Sequence, residues 1–346
     1  MQIRTSVLSA LLFVAISVAT PVLTSAQYWR ALPSVNEDKS INTAFANDEK
    51  FVYYLSKESG ISNIYRIPIK GGAAQQVTKF TDAPVVRFLH LINQPSILFM
   101  RAKDAASTDY HIYRMPADGS GEPKDLTGGG DGVHSELIGL SYNARYAYYT
   151  SNKTNKSKEY VMRYDIQQNV SEEVFPNDKD YHALAWSRDM NRLLLEDPST
   201  GALSFFDATT TDRYPAIDDQ GGVRYASAMM DPMNKEIWAI TASNGASQQK
   251  SYNLSSKQWK DVRTGDFTNS NLSLGGKYTI LTTPMKTKVL ETTTGNEIAL
   301  PDGAANVTVS PKEGLILFTT ASADGFKLSV MDINKKTTTD LGTIKN

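Results

Sequence analysis

The chain has 346 residues, with 36 lysines and arginines against 37 aspartates and glutamates, for a formal net charge of −1. That balance presents no basic field to nucleic acid or to an anionic membrane surface. It contains no cysteine and four histidines, which rules out disulfide staples and lipid-modified cysteines and leaves little from which to build a histidine metal site.

The N-terminus carries Arg4, an apolar stretch from Val7 to Ala19, Pro21, and the small residues Thr24, Ser25 and Ala26. A charged start, a short apolar core and a small-residue exit read as a secretory signal peptide over residues 1–26, cleaved after Ala26. A membrane-spanning helix needs about 20 consecutive apolar residues, and Pro21 interrupts the run first. No membrane span is therefore expected after cleavage, and a cysteine-free exported chain fits a periplasmic or secreted protein. Residues 27–38 read as a short leader that packs Trp29 against the main body, and residues 39–346 as one domain.

Within that domain one pattern recurs seven times: a short apolar run, a polar turn, then a strongly hydrophobic strand. The first copies are Thr43-Ala44-Phe45 turning at Asn47-Asp48 into Phe51 to Tyr54, Phe88-Leu89 turning at Asn93 to Pro95 into Ile97 to Phe99, and Ile138 to Leu140 turning at Asn143 into Tyr146 to Tyr149. Leu184 to Trp186 then turns at Arg188-Asp189 into Leu193 to Leu195, and Ala226 to Ala228 turns at Asp231-Pro232 into Ile237 to Ile240. The last two are Leu272 to Leu274 turning at Gly275-Gly276 into Tyr278 to Leu281, and Val307 to Val309 turning at Pro311-Lys312 into Leu315 to Phe318. Successive turns are roughly 37 to 49 residues apart, close to the period of about 40 to 45 for a four-stranded propeller blade. Two further strand-like runs follow each copy. A lone four-stranded sheet cannot bury both faces, so repeats at this period pack around an axis. The expected fold is all-β: a seven-bladed propeller of four-stranded antiparallel blades, with six blades as the alternative.

Two segments carry a family resemblance. They are Ser62 to Gly72 continuing to Val77-Thr78, with Asn63-Ile64-Tyr65 and Gly71-Gly72, and Asp109 to Tyr113 continuing through Gly119 to Leu126-Thr127. Both resemble the "IY, five residues, GG, then LT" blade of TolB-like propellers within the WD40-like repeats, which is similar to blades of dipeptidyl peptidase IV-like and prolyl oligopeptidase-like proteins. The resemblance implies a propeller fold and does not fix a function, because propellers host many activities. The additional domains of those families are not expected here: neither the N-terminal α/β domain of TolB nor a hydrolase domain.

No G-x-S-x-G nucleophile elbow is present; Gly139-Leu140-Ser141 is followed by Tyr142-Asn143 and lacks the closing glycine. Glu172-Glu173 matches the type of glutamate pair that holds a substrate amino terminus in dipeptidyl peptidase IV-like enzymes, but its polar context reads as a solvated blade edge. Gly128 to Gly132 lacks the residues of a phosphate or calcium loop and reads as an inter-blade connection. His90, His134 and His182 fall near innermost strands, yet His90 falls at the opposite end from the other two, so no histidine triad forms. Exposed rings able to stack on a sugar reduce to Tyr110, Tyr181 and Tyr225.

These absences lead to a non-catalytic chain with no cofactor and no metal, monomeric, binding a protein or peptide segment. Activity is left open: a carbohydrate-binding or polysaccharide-lyase-type propeller is the first alternative, and an accessory propeller for a peptidase on another chain the second. Loops between second and third strands share one face with the links between blades. That face collects the loops from Arg101 to Asp109 and from Ser151 to Glu159, and the candidate rim residues Arg87, His134, Glu136, His182 and Arg224.

Overall fold

The computed structural model describes residues 42–345 except 92–93, 105–106, 108, 129, 131, 141–144, 177–180, 187–191, 198, 208–216, 218–224, 232–234 and 242–245. Residues 1–38, read from the sequence as signal peptide and leader, lie outside the described residues. Blade 1 consists of β1 (Thr43–Phe45), β2 (Phe51–Ser56), β3 (Asn63–Pro68) and β4 (Gln75–Gln76). Blade 2 follows with β5 (Val85–His90), β6 (Ser96–Ala102), β7 (Tyr110–Pro116) and β8 (Lys124–Asp125), and blade 3 with β9 (Ser135–Leu140), β10 (Tyr146–Ser151), β11 (Tyr160–Asp165) and β12 (Val170–Pro176). Blade 4 shows three strands among the described residues: β13 (His182–Trp186), β14 (Arg192–Glu196) and β15 (Leu203–Asp207). Blade 5 holds β16 (Tyr225–Met230), β17 (Glu236–Thr241), β18 (Ser247–Asn253) and β19 (Gln258–Gly265). Blade 6 holds β20 (Asn269–Leu272), β21 (Tyr278–Thr282), β22 (Thr287–Glu291) and β23 (Glu297–Ile298), and blade 7 β24 (Ala305–Val309), β25 (Leu315–Ser322), β26 (Gly325–Asp332) and β27 (Thr337–Ile344). Each sheet is an antiparallel meander of consecutive strands, so the fold is the expected seven-bladed propeller.

The strongly hydrophobic second strand of each blade is explained by its position. It is sandwiched, and alternate side chains point to opposite faces. In β6, Ile97 and Phe99 pack toward blade 1, whereas Leu98 and Met100 pack toward blade 3. In β14, Leu193 and Leu195 meet blade 3 while Leu194 meets blade 5. In β25, Ile316 and Phe318 meet blade 6, and Leu317 meets blade 1. That last contact closes the ring, with Leu317, Leu328, Val330 and Ile344 packed on Val52, Tyr54, Tyr65 and Ile67. Polar ties reinforce this seam: the Lys345 carbonyl accepts from the Ser56 hydroxyl and the Lys57 amide, each at 3.1 Å.

The seam between blades 5 and 6 is built differently. Among the described residues its apolar cluster holds Ile240, Leu281 and Leu290 with Phe267, and hydroxyls and amides add to it. Gln249 donates from Nε2 to the Ser270 hydroxyl at 2.8 Å, and the Ser270 amide donates to the Ser227 hydroxyl at 3.3 Å.

The repeat signature acquires a physical meaning in blades 1 and 2. Thr78 and Thr127 each offer a side-chain oxygen to a strand amide, Ile64 N at 2.8 Å and Ile112 N at 3.1 Å. Gly119 has φ 79°, and a Cβ there would fall 2.8 Å from the Val77 carbonyl oxygen of blade 1. A side chain at that turn would therefore both strain the backbone and separate two blades.

Blades 3, 5 and 7 turn from third to fourth strand without a glycine pair. Asp165, Asn253 and Asp332 each accept two backbone amides, from Gln167 and Gln168, Ser255 and Ser256, and Asn334 and Lys335. The turn closes on a residue in the left-handed region, Asn169, Lys257 or Lys336. These Asx-type turns do the work that Gly71-Gly72 does in blade 1.

Among the innermost strands, one ends short of its expected run. The first strand of blade 6 is β20, ending at Leu272, rather than Leu272 to Leu274. Ser273 leaves the ladder because its hydroxyl accepts the Tyr278 amide at 2.8 Å and donates to Glu313. Glu313, itself at φ 57°, sits in the first turn of blade 7 and also accepts the Gly275 and Lys277 amides at 2.9 and 3.2 Å. Glu49, at φ 57° in the first turn of blade 1, accepts the Lys312 amide at 2.7 Å. A chain of carboxylate clasps thus links blade 1 to blade 7 and blade 7 to blade 6. Glu313→Ala should cost about 1–3 kcal/mol of stability in a denaturant titration, with Glu313→Gln intermediate, because several donors lose their acceptor at once.

Candidate functional site

An antiparallel meander alternates its connections between two ends. The second-to-third-strand loops and the blade-to-blade links fall at one end, and the first-to-second and third-to-fourth turns at the other. The connection-bearing end therefore includes the starts of the innermost strands, where the sequence places its rim.

Five innermost strands carry a register shift against their neighbours, in β5 at Val85/Arg87, β9 opposite Tyr148/Tyr149, β13 at Ala183/Ala185, β16 at Tyr225/Ser227 and β24 at Ala305/Thr308. A bulge bends its strand and re-aims the side chains beside it. In β5 and β9 this brings two rim residues together: Arg87 Nη1 lies 3.2 Å from Glu136 Oε1, with side chains 7% and 35% exposed. The amide beyond each bulge is satisfied by the preceding blade, Phe88 N by Asn42 Oδ1 at 2.6 Å and Leu137 N by Met100 Sδ at 3.2 Å.

His134 lies on the link into β9. Its amide donates to Asn152 Oδ1 at 2.7 Å, and its ring meets Tyr110 edge-on at 5.5 Å. Asn152 also donates to the Gly132 carbonyl at 3.0 Å, and the Gly132 amide donates to Asp109 Oδ2 at 2.9 Å. The second-to-third loops of blades 2 and 3 are thereby pinned to the glycine link, which does join two blades. His182 begins β13, the innermost strand of blade 4; its side chain, like the whole of Arg224, lies outside the described residues. The structure therefore pairs Arg87 with Glu136 and sets His134 on the adjacent link.

The aromatic candidates fare differently. Tyr225 is buried and stacks on Trp259 at 5.2 Å, so its ring is core rather than a platform. Tyr110 and Tyr181 are half-buried, Tyr110 against the core between blades 2 and 3 and Tyr181 against that between blades 3 and 4. Glu172 lies on the outer strand β12 and pairs with Arg163. Similar pairs link third and fourth strands elsewhere, including Lys250–Asp261 at 3.3 Å and Lys327–Asp340 at 2.7 Å, so this pair pins a hairpin.

The remaining histidines are structural in their surroundings. His111 Nδ1 is 2.8 Å from Asp125 Oδ2. Burial alone would raise the Asp125 carboxyl, but hydrogen bonds from the Gly128 amide, His111 and Thr127 hold it below the usual carboxylate range. Arg101 pairs with Asp82 and stacks its guanidinium 4.0 Å over Phe80. Among the described residues, no group of three or more histidines and carboxylates is placed to hold a metal ion.

No protein-family model and no curated protein matches the sequence. In shape the chain is similar to an oligogalacturonate lyase from Vibrio parahaemolyticus, with TM-score 0.60, 11% identity, and coverage of 84% of this chain and 89% of that one. What they share is the propeller. A puromycin-hydrolyzing peptidase from Mycobacterium tuberculosis matches at TM-score 0.65 and 10% identity over 93% of this chain, yet this corresponds to 56% of the peptidase chain. TolB from Acinetobacter baumannii matches at TM-score 0.49 and 13% identity, over 76% of this chain and 81% of that one. Identities this low establish the fold alone.

His90, at the end of β5 away from the rim, gives the fold a pH signature. Its ring packs 5.1 Å from Tyr53, and its Nδ1 is buried without a hydrogen-bond partner among the described residues. Burial holds its pKa down from 6.5 to about 4. Above the unfolded value both states are neutral. As pH falls from 6.5 to about 4, the unfolded chain binds a proton that the folded chain refuses, so stability declines. The loss should approach about 3 kcal/mol, and denaturant titrations at several pH values should show it shrinking in His90→Asn.

Proposed function

We propose that this chain is an exported, non-catalytic propeller that binds a protein or peptide segment in the cell envelope at its connection-bearing end. The observation that carries this reading is the Arg87–Glu136 pair, held on adjacent innermost strands by their bulges at 3.2 Å. An arginine this enclosed keeps its planar donor fork oriented, and a pre-oriented guanidinium beside a carboxylate suits the mixed polar surface of a peptide. His134 adds a second polar group on the neighbouring link, and the sequence assigns His182 and Arg224 to the same rim. Rigid blades carrying pinned loops are a common scaffold for recognition. The signal-like N-terminus supports a periplasmic or secreted location, with the chain acting as a monomer.

The second reading is a carbohydrate-active or carbohydrate-binding propeller, favoured by the shape of the oligogalacturonate lyase at TM-score 0.60. The burial of Tyr225 counts against sugar stacking at that position.

The experiment compares wild type with an Arg87→Ala/His182→Ala/Arg224→Ala chain, each cross-linked in its native envelope and then titrated against the recovered partner. A loss of about tenfold or more in affinity, measured at a temperature where both chains are fully folded, is expected if these groups are contact points. Unchanged affinity would remove the site. Parallel titration with oligogalacturonides separates the second reading, which requires saturable binding of the sugar.

A further inference from the structure

Blade 6 joins β21 to β22 through a tight turn from Thr283 to Lys286, at the connection-bearing end. Thr283 braces it from both sides. Its amide and hydroxyl donate to the Lys286 carbonyl at 2.9 and 2.8 Å, and its hydroxyl oxygen accepts the Met285 and Lys286 amides at 3.3 and 3.0 Å. Met285 forms the tip and is 86% exposed. Met100, Met115, Met162, Met229, Met230 and Met331 are all buried, none more than 9% exposed. The braced backbone keeps the Met285 side chain projecting away from the blade, with no core position to retreat into.

We propose that Met285 is an oxidative modification site, at which hydrogen peroxide converts the thioether to the sulfoxide while the buried methionines stay reduced. The sulfur lone pair attacks one peroxide oxygen and the O–O bond breaks. The sulfur is oxidised by two electrons, and the departing hydroxide takes the remaining peroxide proton to leave as water. Such oxidation requires the oxidant to reach the sulfur, which the folded chain permits at Met285 and denies at the buried positions. Because the tip contributes no core packing, the sulfoxide leaves the fold intact. The same exposure admits a methionine sulfoxide reductase, so the change is reversible. Its chemical effect is to turn an apolar projection into a polar, chiral one at the end that carries Arg87. The inference holds whether or not that end binds a protein.

The test uses the folded chain, graded hydrogen peroxide and peptide mass mapping. Tryptic cleavage releases Tyr278 to Lys286, in which Met285 is the sole methionine. That peptide should gain one oxygen, about 16 Da, on the order of tenfold faster than the peptides carrying the buried Met100, Met115, Met162 and Met331, and should lose it on treatment with methionine sulfoxide reductase. The thermal unfolding midpoint should not move as the sulfoxide accumulates. Oxidation of Met285 no faster than that of the buried methionines would overturn the proposal, as would a midpoint that falls in step with the sulfoxide or a sulfoxide the reductase cannot reverse.

Discussion

Burial of apolar side chains between neighbouring sheets is the interaction on which every blade depends. A second strand such as β6 or β14 is apolar on both faces, so its blade gains full burial only when sheets lie on both sides of it. Fully burying one large aliphatic or aromatic side chain contributes about 1.5–3 kcal/mol. A blade at the end of an open row would leave one of its faces in water. The ring removes the ends by setting Leu317 and Leu328 of blade 7 on Val52 and Tyr65 of blade 1. The Glu49 clasp and the hydrogen bonds to Lys345 then tie the terminal blades together. Where apolar cover is thin, between blades 5 and 6, Ser227, Gln249 and Ser270 hold the faces together by hydrogen bonds instead.

The second strands made the fold legible in the sequence. Ile97 to Phe99, Leu193 to Leu195 and Leu315 to Phe318 are continuous apolar runs because both of their faces are covered, and the turns before them counted the blades. Turn chemistry was readable where glycine or Asp-Gly marked it, in blades 1 and 2. It was harder to see at Asp165, Asn253 and Asp332, where an acceptor side chain and a left-handed Asn or Lys take over. The spacing from that acceptor to Asn169, Lys257 or Lys336 is a signal that could have found them.

The candidate site was legible in part. Residue type and position on a first strand put Arg87 and Glu136 at one end, but their contact depends on bulges in β5 and β9, and a one-residue shift in pairing leaves no mark in composition. Tyr225 shows the converse. Its place at the start of a first strand suggested exposure, whereas Trp259 of the same blade covers it. The Glu313 clasp escaped notice because its partners, Ser273, Gly275 and Lys277, belong to another blade. Contacts of this kind form only when one blade packs on the next, so no single repeat displays them.

Ring closure between blades 7 and 1 is tested most directly by native-state hydrogen exchange on Leu317→Ala. Leu317 is fully buried in blade 7 and contacts blade 1, and its truncation should cost about 2–5 kcal/mol. Amides of β2 and β3 in blade 1 should lose protection together with those of β25 and β26 in blade 7, while β10 and β14 on the far side of the ring change least. Loss confined to blade 7, with β2 and β3 as protected as in the wild type, would contradict a ring closed by packing across that seam.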